Sequence, residues 1–327
     1  MAGYPLTFHT QFKDKIWGGQ KIRTRLGKDF SPLPNCGETW EISAVVGNIS
    51  VVKNGDLSGK PLDAVISENP EMWLGKSVID RFGEEFPLLI KFIDAAEDLS
   101  VQVHPNDALA ASRHQGRGKS EMWYILEADK GATLIDGFSR NLSREEYLKG
   151  LAEGRIMSLL NKVPAERGDV FYIPAGRVHT IGKGLLLAEI QQTSDITYRI
   201  YDFDRVDAQG NTRELHTELA LDALDFSYVP DVKCAYDKSH VNEVLDLIHS
   251  PYFETNKLLY TRSLVRDLSA IDSFKVYICL EGTLEIRKGE FATSLAKGDC
   301  ALVPASWKVY ELRTEEGFEL LETYIGE

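Results

Sequence analysis

The chain has 327 residues, with 37 basic and 50 acidic side chains for a formal charge of −13, 43% apolar and 27% charged residues. Such a length and composition fit a soluble globular chain of one or two domains whose core needs no disulfide or metal staple. The acidic balance argues against nucleic acid or an anionic membrane as partner; no apolar run approaches the roughly 20 residues that cross a bilayer, and the first residues lack a basic n-region and apolar leader.

In chain order, a short helix is expected near 61–67, strands at 87–93 and 99–104, and a second helix near 107–113. Strands follow at 121–127 and 132–136, rich in Val, Ile, Leu, Phe and Tyr and closed by Gly, Pro, Asp or Asn. A longer helical segment is predicted over 143–162, opened by a capping box with Ser143 as N-cap and Glu146 at the third helical position. Strands at 169–173, 185–191 and 196–203 precede a helix near 215–223, and a last series runs at 257–265, 274–280, 283–287, 300–303 and 318–325. Many short strands with few helices indicate a mainly β sandwich or barrel. Cys36, Cys234, Cys279 and Cys300 stand far apart without a C-x-x-C pair, which reads as reduced thiols in a cytoplasmic protein.

A weak internal repeat organises these elements. Gly168-Asp169-Val170-Phe171-Tyr172-Ile173-Pro174-Ala175 recurs 130 positions later as Gly298-Asp299-Cys300-Ala301-Leu302-Val303-Pro304-Ala305. Upstream, Tyr124-Ile125-Leu126 resembles Tyr277-Ile278-Cys279. The first copy is the longer, by about the length of the 143–162 segment, so two copies of one β module are expected, the first carrying a helical insert. The expected domains are 1–245, with the chemistry, and 246–327, a degenerate copy.

The most specific local pattern is Gly168-x5-Pro174-x-Gly176-x2-His179. It resembles the second motif of the cupin superfamily, jelly-roll barrels that hold a metal inside. Val101-Gln102-Val103-His104 supplies the alternation of the first motif: Gln102 and His104 share one strand face, with Val101 and Val103 on the other. Glu121 begins the next strand-like run. Gln102, His104, Glu121 and His179 therefore form an oxygen and nitrogen set suited to a divalent cation, with one formal negative charge, although an amide oxygen is an unusual fourth ligand for zinc. Val309 stands 130 positions after His179 and no Gln-x-His precedes the second copy, so that copy is expected to be metal-free. His9, His114, His216, His240 and His249 read as ordinary core or surface groups.

Leu99-Ser100-Val101-Gln102-Val103-His104-Pro105-Asn106-Asp107, Lys119-Ser120-Glu121, the stretches 174–179 and 189–199, Trp17-Gly18-Gly19 and Glu38-Thr39-Trp40-Glu41 together resemble type I mannose-6-phosphate isomerase in its compact bacterial form. The resemblance runs over roughly 5–325 and implies two cupin-like barrels, one Zn²⁺ per chain, and interconversion of mannose 6-phosphate and fructose 6-phosphate through a cis-enediol. That reaction needs a base, an electrophile for the enediolate and a grip on phosphate. Glu189 alternates onto the same strand face as Gln191 and stands ten residues before Arg199, the family's spacing of a Glu from a catalytic Arg; Glu189 is the preferred base, with Lys119 the alternative. The resemblance further implies Arg199 as enediolate stabiliser, Asp195 as its orienting acid, and Ser100 and Lys91 as phosphate contacts, with Lys119 also near substrate. The partner is thus a small sugar phosphate. Three readings compete, among them a cupin dioxygenase, which would consume oxygen, and another sugar-phosphate isomerase differing only in epimer. A non-catalytic sugar-binding cupin would bind without exchanging the C2 proton.

Overall fold

Period-two alternation along short strands builds three antiparallel sheets in the computed structural model, which describes residues 3–206 and 209–326. The first part of the chain supplies β1 (Gln11–Lys13), β2 (Glu38–Ile42), β3 (Leu88–Ala95), β4 (Val101–Val103), β5 (Glu121–Ala128), β6 (Thr133–Phe138), β7 (Leu160–Pro164), β8 (Val170–Ile173), β9 (His179–Thr180), β10 (Leu185–Gln192) and β11 (Tyr198–Tyr201). They pair as a six-stranded sheet, β1-β2-β3-β10-β5-β8, and a five-stranded sheet, β11-β4-β9-β6-β7. The rest supplies β12 (Val244–His249), β13 (Glu254–Tyr260), β14 (Leu264–Asp267), β15 (Lys275–Lys288), β16 (Phe291–Ala296), β17 (Cys300–Val303), β18 (Val309–Arg313) and β19 (Phe318–Tyr324), an eight-stranded sheet centred on β15. The protein is mainly β, as expected.

The central strands β3 and β10 are buried along their whole length because both faces of the six-stranded sheet are covered. Phe92, Met122, Tyr124, Ala188 and Ile190 point outward into one core with Leu258, Val276, Ile278 and Leu302 of the third sheet. Ile93, Trp123, Ile125, Leu185 and Leu187 point the other way, toward Leu134 and Ile181 near the five-stranded sheet. The outer face of that sheet, with Val101, Val103, Ile135, Tyr198 and Ile200, is covered by Tyr147 and Ala220 from two helices. The second of these three apolar layers fills part of the gap between the first two sheets, and polar side chains occupy the rest.

Several elements differ from expectation. The 143–162 segment is a helix only over Arg144–Ala152; Ser143 and Glu146 do form the capping box. Gly154, at φ 65°, ends it with Arg155 N–H donating to the Gly150 carbonyl, a left-handed stop that a Cβ would oppose. A 3₁₀ turn, Ile156–Leu159, then leads into β7, which pairs with β6. The runs 274–280 and 283–287 are one strand, β15, with a register shift at 279–281, and 257–265 splits into β13 and β14. The strands β1, β2, β12, β16 and β18 and the helices Lys21–Leu26, Pro70–Leu74 and Lys76–Phe82 carry no pattern strong enough to be anticipated.

The repeated Gly-Asp turns have the same hydrogen bonds. Gly168 and Gly298 sit at φ 80° and 86°. Gly168 N–H donates to Ile125 O and Ile125 N–H to Asp169 O; Gly298 N–H donates to Cys279 O and Cys279 N–H to Asp299 O. The Asp169 and Asp299 carboxylates accept from Glu166 N–H and Ala296 N–H, each at 2.9 Å. The structural equivalent of Ile125 is therefore Cys279, one place on from the match to Ile278 that residue similarity suggests. No helix among the described residues is long and apolar enough to cross a membrane.

Candidate metal centre and active site

Strand alternation delivers the polar side chains to the gap between the first two sheets. On β4 and the residue after it, Gln102 and His104 turn inward; Gln102 is paired with His179 of β9 on one side and with Arg199 of β11 on the other. From the opposite sheet, Glu121 opens β5, Glu189 lies on β10 between Trp123 and Lys91, and Trp40 of β2 is the further neighbour of Lys91.

The ligand atoms of His104, Glu121 and His179 lie within 4.8 Å of one another, and all three residues are buried. His104 Nδ1 is 2.9 Å from the Ile196 carbonyl and His179 Nδ1 is 2.8 Å from the Arg177 carbonyl. A carbonyl only accepts, so each Nδ1 must carry the proton and each Nε2 presents a lone pair. Those lone pairs face the Glu121 carboxylate, at 3.5 Å from His104 and 3.3 Å from His179. Burial holds both imidazoles neutral: it pushes His104 well below the usual range, helped by the Lys119 charge, and His179 down to about 4. Burial lifts Glu121 to about 7 against the pull of Lys119. Glu121 Oε1 has no hydrogen-bond donor, and Oε2 meets only the Lys119 ammonium, at 2.9 Å. Two lone pairs converging on a buried carboxylate that a single lysine only partly satisfies are costly alone and favourable around a divalent cation, so these residues fit a metal. Gln102 turns its amide NH₂ toward His179 Nε2, at 3.3 Å, and its oxygen toward Ser100 Oγ, at 3.5 Å. A half-turn of the amide brings the oxygen into the donor set.

A cavity of about 500 Å³ opens onto this centre. Lys91, Ser100, Gln102, Lys119, Glu189, Asp195 and Arg199 all line it, and His104, Glu121 and His179 lie behind Gln102 and Lys119. Lys119 Nζ is 3.0 Å from His104 Nε2 and 2.9 Å from Glu121 Oε2. Glu189 is held at both oxygens, by Lys91 Nζ at 3.0 Å and by the Trp123 indole N–H at 3.0 Å. Burial raises its pKa, but the Lys91 and Lys119 charges outweigh that and keep it below the ordinary carboxylate range. Lys91, expected at the phosphate, is thus engaged with Glu189, and with Glu38 at 3.8 Å. Arg199 donates from Nη1 to the Glu214 carbonyl at 2.8 Å and its buried Nε has no partner. Among the described residues no hydrogen bond or ion pair joins it to Asp195, the acid expected to orient it. His114, His216, His240 and His249 meet Tyr198, Arg199 and surface carboxylates, away from the donor cluster.

Lys13, Lys15, Glu38, Trp40 and Arg213 also line the cavity and were not anticipated. Lys13 and Lys15, like Glu38 and Trp40, stand two apart; that spacing was the available signal, but charged residues in very short strands obscured it.

Comparison with known proteins points to one family. The family model "Phosphomannose isomerase type I, catalytic domain" matches residues 6–136. A mannose-6-phosphate isomerase of Streptococcus mutans is 39% identical over 307 residues, 94% of this chain and 94% of its own length. One from Bacillus subtilis is 36% identical over 310 residues, covering 93% of this chain and 94% of its own. The crystal structure of the mannose 6-phosphate isomerase from Bacillus subtilis has a TM-score of 0.86 at 32% identity, covering 98% of this chain and 99% of that one. A zinc-bound mannose 6-phosphate isomerase shares the fold, with a TM-score of 0.79 at 18% identity over 99% of this chain and 100% of that one.

Proposed function

The chain belongs to the type I phosphomannose isomerase family, and on that premise we propose that it interconverts mannose 6-phosphate and fructose 6-phosphate with one zinc ion held by Gln102, His104, Glu121 and His179. The observation that carries this reading is the pair of tautomer-fixed imidazoles aimed at the buried carboxylate of Glu121. When bound, the ion supplies Lewis acidity toward the carbonyl and hydroxyl oxygens of the sugar.

The residues of the chain carry the proton. Glu189, ionised beside Lys91, takes the proton from C2 of the aldose and returns it to C1 of the ketose, through a cis-enediol, while the O2 hydroxyl proton passes to O1. The Trp123 indole and Lys91 fix the carboxylate plane, so the same oxygen can serve both carbons. Arg199, permanently charged and with a free buried Nε, meets the negative charge that develops on the enediolate oxygens. Lys119, between Glu121 and His104, is the alternative proton carrier. Ser100 hydrogen-bonds a substrate oxygen next to Gln102, and Asp195 lies on the cavity wall where it can accept from a sugar hydroxyl.

A coupled assay of the purified protein tests this. Mannose 6-phosphate is turned over, activity is lost on chelation, and it returns with zinc. Glu189→Gln lowers kcat by at least about 10²-fold, the scale of a lost general base, with exchange of the C2 proton into deuterated water falling in parallel. No turnover by the zinc-restored protein overturns the assignment; oxygen consumption in its place selects the dioxygenase.

A further inference from the structure

We propose that Lys13, at the end of edge strand β1, is the cation that receives the substrate's phosphate group at the exposed end of the cavity. The inference deepens the sugar-phosphate reading above and rests on it for the identity of the anion.

Charge pairing sets Lys13 apart from most of the cations around it. Six cations line the cavity, and four are already matched to carboxylates: Lys91 to Glu189 at 3.0 Å, Lys119 to Glu121 at 2.9 Å, Lys15 to Glu38 at 3.4 Å, and Arg213 to Asp202 at 2.7 Å. Among the described residues, no carboxylate oxygen lies within 4 Å of Lys13 or Arg199. A phosphate dianion arriving at a paired lysine competes with a carboxylate already there; at Lys91 it would also strip Glu189 of the charge that keeps it ionised. At an unpaired cation it meets no such competitor.

The two unpaired cations sit differently. Arg199 is the strand partner of Gln102 and belongs beside the donor cluster. Lys13 is the strand partner of Glu38, its ammonium 4.6 Å above the Trp40 ring, 2.5 Å from Asn48 Oδ1 and 3.4 Å from Gln11 Oε1. These neutral contacts aim the ammonium without cancelling its charge. Lys91 faces the same Trp40 ring at 5.3 Å, so the indole marks the way from the buried Lys91–Glu189 pair to the half-exposed Lys13. Separating the two cations this way puts the reacting carbons at the buried end and the non-reacting phosphate at the open one.

Calorimetric titration of the zinc-loaded protein with inorganic phosphate, together with kcat and KM for mannose 6-phosphate, tests the assignment. Lys13→Met weakens phosphate binding about tenfold or more and raises KM by a similar factor, with most of the change in KM, while Lys13→Arg retains phosphate binding within about threefold. Should Lys13→Met fail to fold, Lys13→Gln is measured in its place. Phosphate affinity within twofold of the parent in the folded neutral variant overturns the proposal, as does a larger loss in Lys91→Met. Phosphate binding that is lost with Lys13 supports the anion site even if the parent turns over no mannose 6-phosphate, an outcome that counts against the isomerase reading alone.

Discussion

Gln102 and His104 reach the gap between the sheets through strand periodicity alone, with Val101 and Val103 fully buried on the opposite face. Their position is legible in the sequence for that reason, whereas Glu121 and His179 are legible only through the resemblance of 168–179 and its partner motif to those of the cupins. The partners that set their chemistry were not. The carbonyls of Ile196 and Arg177 fix the imidazole tautomers through backbone geometry, and Lys91 is committed to Glu189 by a cross-strand register that no local pattern encodes. Glu38 shows the energetic side of the same web. Burial raises its pKa, but Lys91, Lys15 and the Trp40 indole bring it down to about 2. A carboxylate depressed from its ordinary 4.5 stabilises the fold above pH 4.5 and loses that contribution as pH falls from there toward 2. A shift of that size corresponds to about 3 kcal/mol. Glu38→Gln is therefore less stable than the parent at pH 7, and the gap narrows as chemical-denaturation curves are taken from pH 5 to pH 2.5. A gap independent of pH contradicts the pairing.

At the scale of elements, strands with long apolar runs, such as β3, β5 and β10, were readable because their burial is continuous. Those that escaped are short or charged. β2 reads Glu-Thr-Trp-Glu-Ile and holds its place by pairing with β3 and by lending Glu38 and Trp40 to the cavity. β7 was hidden behind a correctly identified helix start, since a helical pattern extends past Gly154 while only the left-handed backbone there reveals the stop. The cap itself is testable. The Ser143 side chain accepts from Glu146 N–H at 3.2 Å and Glu146 returns the bond to Ser143 N–H at 2.8 Å. Ser143→Ala costs about 1 kcal/mol, read as a lowered Tm in calorimetry, with the kinetics of isomerisation unchanged because the helix covers the outer face of the five-stranded sheet. An unchanged Tm shows the cap to be dispensable.

The whole molecule sets two treatments of a buried acid side by side. In the part we read as the catalytic module, 1–245, Glu121 has Lys119 alone as a donor, at 2.9 Å from Oε2, none at Oε1, and two imidazole lone pairs facing it. In the part read as its degenerate copy, 246–327, the equally buried Glu322 is met by Arg266 at 3.0 and 2.5 Å, Tyr277 at 2.7 Å and Asn256 at 3.2 Å. Val309 opens β18 as His179 opens β9, so the copy closes its interior with protein donors where the first module leaves room for an ion. Anomalous diffraction at the zinc edge, from crystals of the protein loaded with one equivalent of zinc, measures this contrast directly. The account predicts a single peak ligated by His104, Glu121 and His179 and none near Glu322; a peak elsewhere, or none between those three side chains, contradicts it.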